Sequence, residues 1–174
     1  MLKRFRSNKA GSAAVEFAFI APLMILMYCG IAELTQAMMA DRRVSHVASS
    51  IGDLVAQQSQ INQAAMDDVF TIGRAIVAPF ATTSLSMRVT SIKADANGNP
   101  QVVWSKTSGA GYTVLAGAVA GLPNGLVSAN ESVVMAESKY TYTSAIQKTV
   151  TNPIPLSQKY YLKPRKGTEV IWAN

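Results

Sequence analysis

The sequence predicts an α+β protein in which a long N-terminal helix, transmembrane in its first half and amphipathic in its second, carries a small domain with an antiparallel sheet of about four strands. Three patterns lead there. An uncharged apolar run extends from Phe17 to Ala32. Beyond it, apolar residues recur at Ala40, Val44, Val47, Ala48, Ile51 and Val55, a spacing of three and four that makes one helical stripe. From Leu85 the periodicity changes to the alternation of a half-buried strand, with Leu85, Met87 and Val89 on one face.

Ser12 to Ile31 is 20 residues, about 30 Å of helix and the hydrocarbon thickness of a bilayer. Lys3, Arg4, Arg6 and Lys9 precede it. The positive-inside rule therefore puts the N-terminus in the cytoplasm and the bulk of the chain across the membrane. Glu16 is the one acid within the span. At the centre of an inserting helix a carboxylate costs about 2.5–3.5 kcal/mol, and less near the interface, so its presence points to a partner. Pro22 removes the hydrogen bond to the carbonyl of Ala18, which predicts a kink or local opening tolerated where neighbours re-satisfy the backbone. Glu33, Gln36, Asp41, Arg42 and Arg43 mark the exit from lipid, and beyond Ala32 no glycine or proline intervenes before Gly52.

Gln57 to Ile61 is polar and reads as a loop, after which Asn62 caps a second helix that ends before Pro79. The strand from Leu85 to Ala94 and Val102-Val103-Trp104 flank Asp95-Ala96-Asn97-Gly98-Asn99-Pro100, a hairpin turn. Ser108 to Ser128, rich in glycine and alanine, reads as a loop with a short helix from Thr113 to Ala120. Ser132–Tyr142 and Lys159–Lys163 complete the strands. Asn152-Pro153-Ile154-Pro155 between them is incompatible with mid-sheet.

Several function classes are disfavoured. The formal charge of +6 arises largely from the four leading cations; the remainder holds twelve basic against ten acidic residues. No basic patch interleaved with aromatics suggests nucleic acid. Cys29, the single cysteine, lies in the apolar span and reads as a small buried hydrophobe. His46 is the single histidine, too few ligands for a metal site. Asp95, Asn97 and Asn99 imitate the start of a calcium loop, but the sixth position is Pro100 and the twelfth is Lys106, where a glycine and a bidentate glutamate are required. No glycine of the Ser108–Ser128 stretch is followed by the lysine of a phosphate loop. Nucleophile, base and stabiliser do not converge, so neither an enzyme nor a cofactor is expected.

Gly11, Ser12, Glu16 and Phe17, with Pro22 beyond them, resemble the N-terminus of the TadE-like pseudopilins of tight-adherence (Flp) pilus systems. The likeness is most specific over Gly11 to Glu33 and returns weakly at Leu122-Pro123, Val133–Glu137, Tyr140–Tyr142 and Tyr160–Arg165. The resemblance implies a pilin-like lollipop and cleavage by a prepilin peptidase between Gly11 and Ser12. It implies a basic leader over 1–11, a transmembrane helix over 12–32, its amphipathic continuation over 33–56 and an extracytoplasmic αβ domain over 57–174. It also implies, as partners, the peptidase, other pilin or pseudopilin subunits, an inner-membrane assembly platform and the lipid bilayer, in the service of surface adhesion and biofilm formation. Glu16 is then the assembly acid and Phe17, with the apolar run, the packing surface.

Helix geometry gives Glu16 a reason of its own. Cleavage would leave an α-ammonium on Ser12, four residues back on the same face and within reach of the carboxylate. The ammonium of a neighbouring subunit would serve as well, and the sequence does not choose. Basic residues before a 15-residue apolar run from Phe17 to Ile31 also describe a secretory signal peptide. The acid near the start of the run and the poor small-residue cut sites at Thr35-Gln36-Ala37 and Met38-Met39-Ala40 argue against it. The remaining rival is an uncleaved single-pass inner-membrane protein whose outer domain binds envelope components.

Overall fold

The computed structural model describes residues 10–119, 121–123 and 125–173. Helix α1 spans Ala10–Ala56, continuing on both sides of Pro22. The short strand β1 (Gln60–Ile61) follows, then α2 (Gln63–Ile76), β2 (Ser86–Ala94), β3 (Pro100–Ser108), β4 (Ser132–Tyr142), β5 (Ile154–Leu162) and β6 (Ile171–Trp172). The long N-terminal helix and the antiparallel four-stranded sheet, ordered β3-β2-β4-β5, form the expected α+β fold. Two compact units emerge. One joins the first part of α1 to the loop Thr143–Pro153; the other holds α1 from Met39 onward with α2 and both sheets.

In the second unit the apolar stripe of α1 does what its spacing predicts. Val44, Val47, Ala48, Ile51 and Val55 are fully buried, each larger aliphatic contributing about 1.5–3 kcal/mol of hydrophobic stabilisation. They face the side of the sheet that carries Val89, Val134 and Ala136. Ser138 donates from its hydroxyl to the carbonyl of Val44 at 2.8 Å. Two glycines permit this closeness: a Cβ on Gly52 would stand 2.8 Å from the Cβ of Ala136, and one on Gly73 of α2 would collide with the Met87 thioether. Gly52→Ala should therefore lower stability by about 1–3 kcal/mol, the usual cost of overpacking. Denaturant unfolding of the full chain in detergent would measure it.

Helix α2 begins as the sequence predicts, with the Asn62 side chain accepting from the Ala65 N–H at 2.9 Å. The β2–β3 turn is also as predicted. Asp95 accepts from the backbone of Asn97 and of Asn99, both at 2.8 Å. Those hydrogen bonds, Asn99 first, hold its carboxyl below the usual range. Gly98 takes the positive φ of 83° that the turn needs.

Three expectations are corrected. The expected helix from Thr113 is absent among the described residues 113–119. Instead Val102 donates to the carbonyl of Gly117, Val119 donates to that of Pro100, and Leu115, Val119, Leu122, Leu126 and Val127 pack on Ile92, Val133 and Met135. Covering the second sheet face buries more apolar surface than an isolated turn of helix would. Strand β5 starts at Ile154 rather than Lys159 and includes Pro155. As an edge strand it can leave the prolyl nitrogen unpaired. Gln60–Ile61, expected within a loop, pairs in parallel with Ile171–Trp172, where Trp172 stacks near Trp104 and Trp104 donates to the Val170 carbonyl at 2.7 Å.

Candidate functional site

The candidate residues Gly11, Ser12, Glu16 and Phe17 fall within the first two turns of α1, and all are exposed. The Ser12 hydroxyl donates to Glu16 Oε1 at 3.0 Å, so helix periodicity sets these two groups together as their spacing requires. Gly11 has nothing within 4 Å of where a Cβ would stand. Among the described residues no contact demands glycine there. Phe17 is 70% exposed, Phe19 80% and Tyr28 74%, and Ile20, Leu23, Ile25 and Leu26 are similarly uncovered. Pro22 lies six residues beyond Glu16, about 9 Å further along the helix. Lys3, Arg4, Arg6 and Lys9 lie outside the described residues.

So much uncovered apolar surface on one helix demands a low-dielectric environment or other helices. The helix contains a segment long and apolar enough to cross a membrane, compatible with a single-pass membrane protein. His46 is exposed. Among the described residues no group of three potential metal ligands gathers.

A second constellation escaped sequence reasoning. Glu33, taken above as one of several polar residues marking the end of the span, is 1% exposed. Its Oε1 accepts from the Lys148 N–H at 2.8 Å and from the Ser144 hydroxyl at 3.1 Å. Its Oε2 accepts from the N–H of Thr149 at 2.9 Å and of Val150 at 2.6 Å. Ser144 Oγ in turn accepts from the N–H of Ile146 and Gln147 at 3.2 and 3.3 Å. Gln147 adopts a φ of 50°, the left-handed turn that aims the next three amides in one direction, a nest for an anion. The available signal was weak: neither Cys29 nor Ala37, four residues to either side, can pair with Glu33.

Burial alone would raise the Glu33 carboxyl, but the hydrogen bonds from Lys148, Val150, Thr149 and Ser144 outweigh it and lower the pKa from 4.5 to about 2. A depressed acid contributes stability that is complete above its unfolded value and lost as pH falls through its folded one. The stability this anchor lends should therefore decline as pH falls below 4.5, while the amides of residues 148–150 keep their bound chemical shifts in detergent-solubilised protein until the pH approaches about 2. Release of the loop at neutral pH would contradict this.

Comparison with known proteins adds one observation. Residues 11–53 match the family model described as TadE-like protein. No curated protein and no solved structure matches the chain. The TadE-like segment covers most of α1 and holds Gly11, Ser12, Glu16, Phe17, Pro22 and Glu33. It ends before the sheet.

Proposed function

We propose that this chain is a minor pseudopilin of a tight-adherence type IV pilus. A prepilin peptidase cuts between Gly11 and Ser12. The span of residues 12–32 then holds the protein in the inner membrane, with the αβ domain outside the cytoplasm. From there it enters or primes the pilus and supports surface adhesion, with sister subunits and the assembly platform as partners. The observation that carries this reading is the uncovered apolar helix with a single acid one turn beyond Ser12. Lipid satisfies the apolar surface but not the acid, whereas a bundle of like helices that exposes an α-ammonium at Ser12 satisfies both.

The test is the mature N-terminus of protein isolated from cells that possess the complete machinery. Sequencing should begin at Ser12, and Gly11→Val should keep the chain at full length. Since a side chain at Gly11 meets no atom among the described residues, lost processing reports on the peptidase rather than on the folding of the αβ domain. A native chain that begins elsewhere would overturn the proposal.

A further inference from the structure

The loop Thr143–Pro153 has no regular secondary structure, yet the N–H groups of five consecutive residues, 146–150, are all satisfied by Ser144 and Glu33. Irregular backbone in water has no need of this, because solvent serves those donors. Irregular backbone at the margin of a bilayer does, since each unsatisfied group there costs several kcal/mol.

The height of the loop along the helix is fixed independently. Glu33 lies two residues past Ile31, the last residue of the 20-residue span, about 3 Å further along the axis. Thr149 approaches Gly30, inside the span, with its Oγ1 3.5 Å from where a Cβ would stand. The loop therefore sits level with the last turn of the apolar helix. Its composition suits that level. Ile146 is 41% exposed, Lys148 is exposed, and the segment holds one cation and no acid among Ser, Thr, Gln and Asn.

We propose that the loop Thr143–Pro153, anchored by Glu33, is a membrane-interface segment that binds the phospholipid surface of the outer leaflet, with Ile146 at the acyl boundary and Lys148 at the phosphates. This rests on the reading of residues 12–32 as a bilayer span. Aliphatic insertion and attraction of a lysine to anionic headgroups are the two terms by which interfacial segments bind. The anchor commits the loop to the helix, so the orientation of the helix in the bilayer and the seating of the loop become one event.

The experiment uses the full chain in phospholipid vesicles containing anionic lipid, at low protein density, with one environment-sensitive nitrobenzoxadiazole label. On native Cys29 the label should be blue-shifted and quenched by lipid spin-labelled deep in the acyl chain. A water-like spectrum there would overturn the span itself. With Cys29→Ser and Ile146→Cys, the label should be blue-shifted and quenched most by lipid spin-labelled near the headgroup, and Glu33→Gln should return it to a water-like spectrum. Lys148→Glu should diminish the blue shift in anionic vesicles more than in neutral ones. A shielded Cys29 label beside a water-like label at position 146 would overturn the interface proposal while leaving the span intact. So would a shift at 146 that appears only as protein density rises, which would identify a second copy of the chain as the occupant. A shift indifferent to Glu33→Gln would overturn the anchoring role.

Discussion

Glu16→Gln should leave the protein inserted and cut at Ser12 but without assembled fibres. The amide keeps the shape of the carboxylate and can still accept from the Ser12 hydroxyl, which lies 3.0 Å from Oε1 in the acid. It loses the charge. Insertion becomes slightly easier, because a carboxylate is the costliest group in the span. Assembly becomes harder, because the α-ammonium at Ser12 would be carried into a helix bundle with no counter-ion. Removing one partner of a desolvated ion pair costs about 3–5 kcal/mol, a factor of more than about a hundred in each joining step. Three measurements separate the effects: membrane fractionation and N-terminal sequencing should match the wild type, while the sheared surface fraction should lack pili. Wild-type fibre levels in this variant would remove the ion pair from the mechanism.

Arg88→Met should destabilise the second unit by about 3–5 kcal/mol, a large share of the roughly 5–15 kcal/mol available to a typical domain. Glu137 stands on β4 between two cross-strand neighbours, Arg88 on β2 and Lys159 on β5. Its side chain is 4% exposed and that of Arg88 12%, whereas that of Lys159 is 46% exposed. Arg88 reaches Glu137 Oε2 at 2.6 Å through both Nε and Nη2, donates from Nη1 to the Thr113 carbonyl at 2.9 Å, and lies 4.6 Å over the Tyr112 ring. Methionine fills much of the same volume and abandons the carboxylate to a lysine that is largely in water. The cost is that of a stranded buried charge, so adding Glu137→Leu should recover most of it. Denaturant titration of the two variants in detergent, followed by tryptophan fluorescence, decides the matter. A double variant no more stable than Arg88→Met would show that the arginine acts through the loop at Thr113 instead.

The helix and the sheet were legible for different reasons. Val44, Val47, Ile51 and Val55 announce a buried face because helix geometry forces residues three and four apart onto one side. Leu85, Met87 and Val89 announce a strand by the same logic at period two. The hairpin was legible because the Asp95 carboxylate accepts from backbone amides two and four residues on, and Gly98, lacking a side chain, takes the positive φ of the turn. The stretch from Thr113 was misread because its alanines and leucine favour helix locally, whereas Ile92, Val133 and Met135, distant in sequence, offer a face to cover. Pro155 misled in the opposite direction: a proline bars a strand only from the interior of a sheet, and edge position belongs to the whole fold.

The sequence by itself determined the elements that depend on neighbours in the chain: a helix of bilayer length, its continuation as a stripe, the cap at Asn62, and the proximity of Ser12 and Glu16 across one helical turn. Such features follow from fixed rise and rotation per residue. Only the tertiary structure decided the partner of Glu33. Three amides and a hydroxyl more than a hundred residues away converge on that carboxylate, and no local periodicity encodes an encounter between segments so far apart in the chain. The same holds for the trio at Glu137, whose members come from three strands. Buried charges are matched by whatever the fold brings to them, because water no longer can.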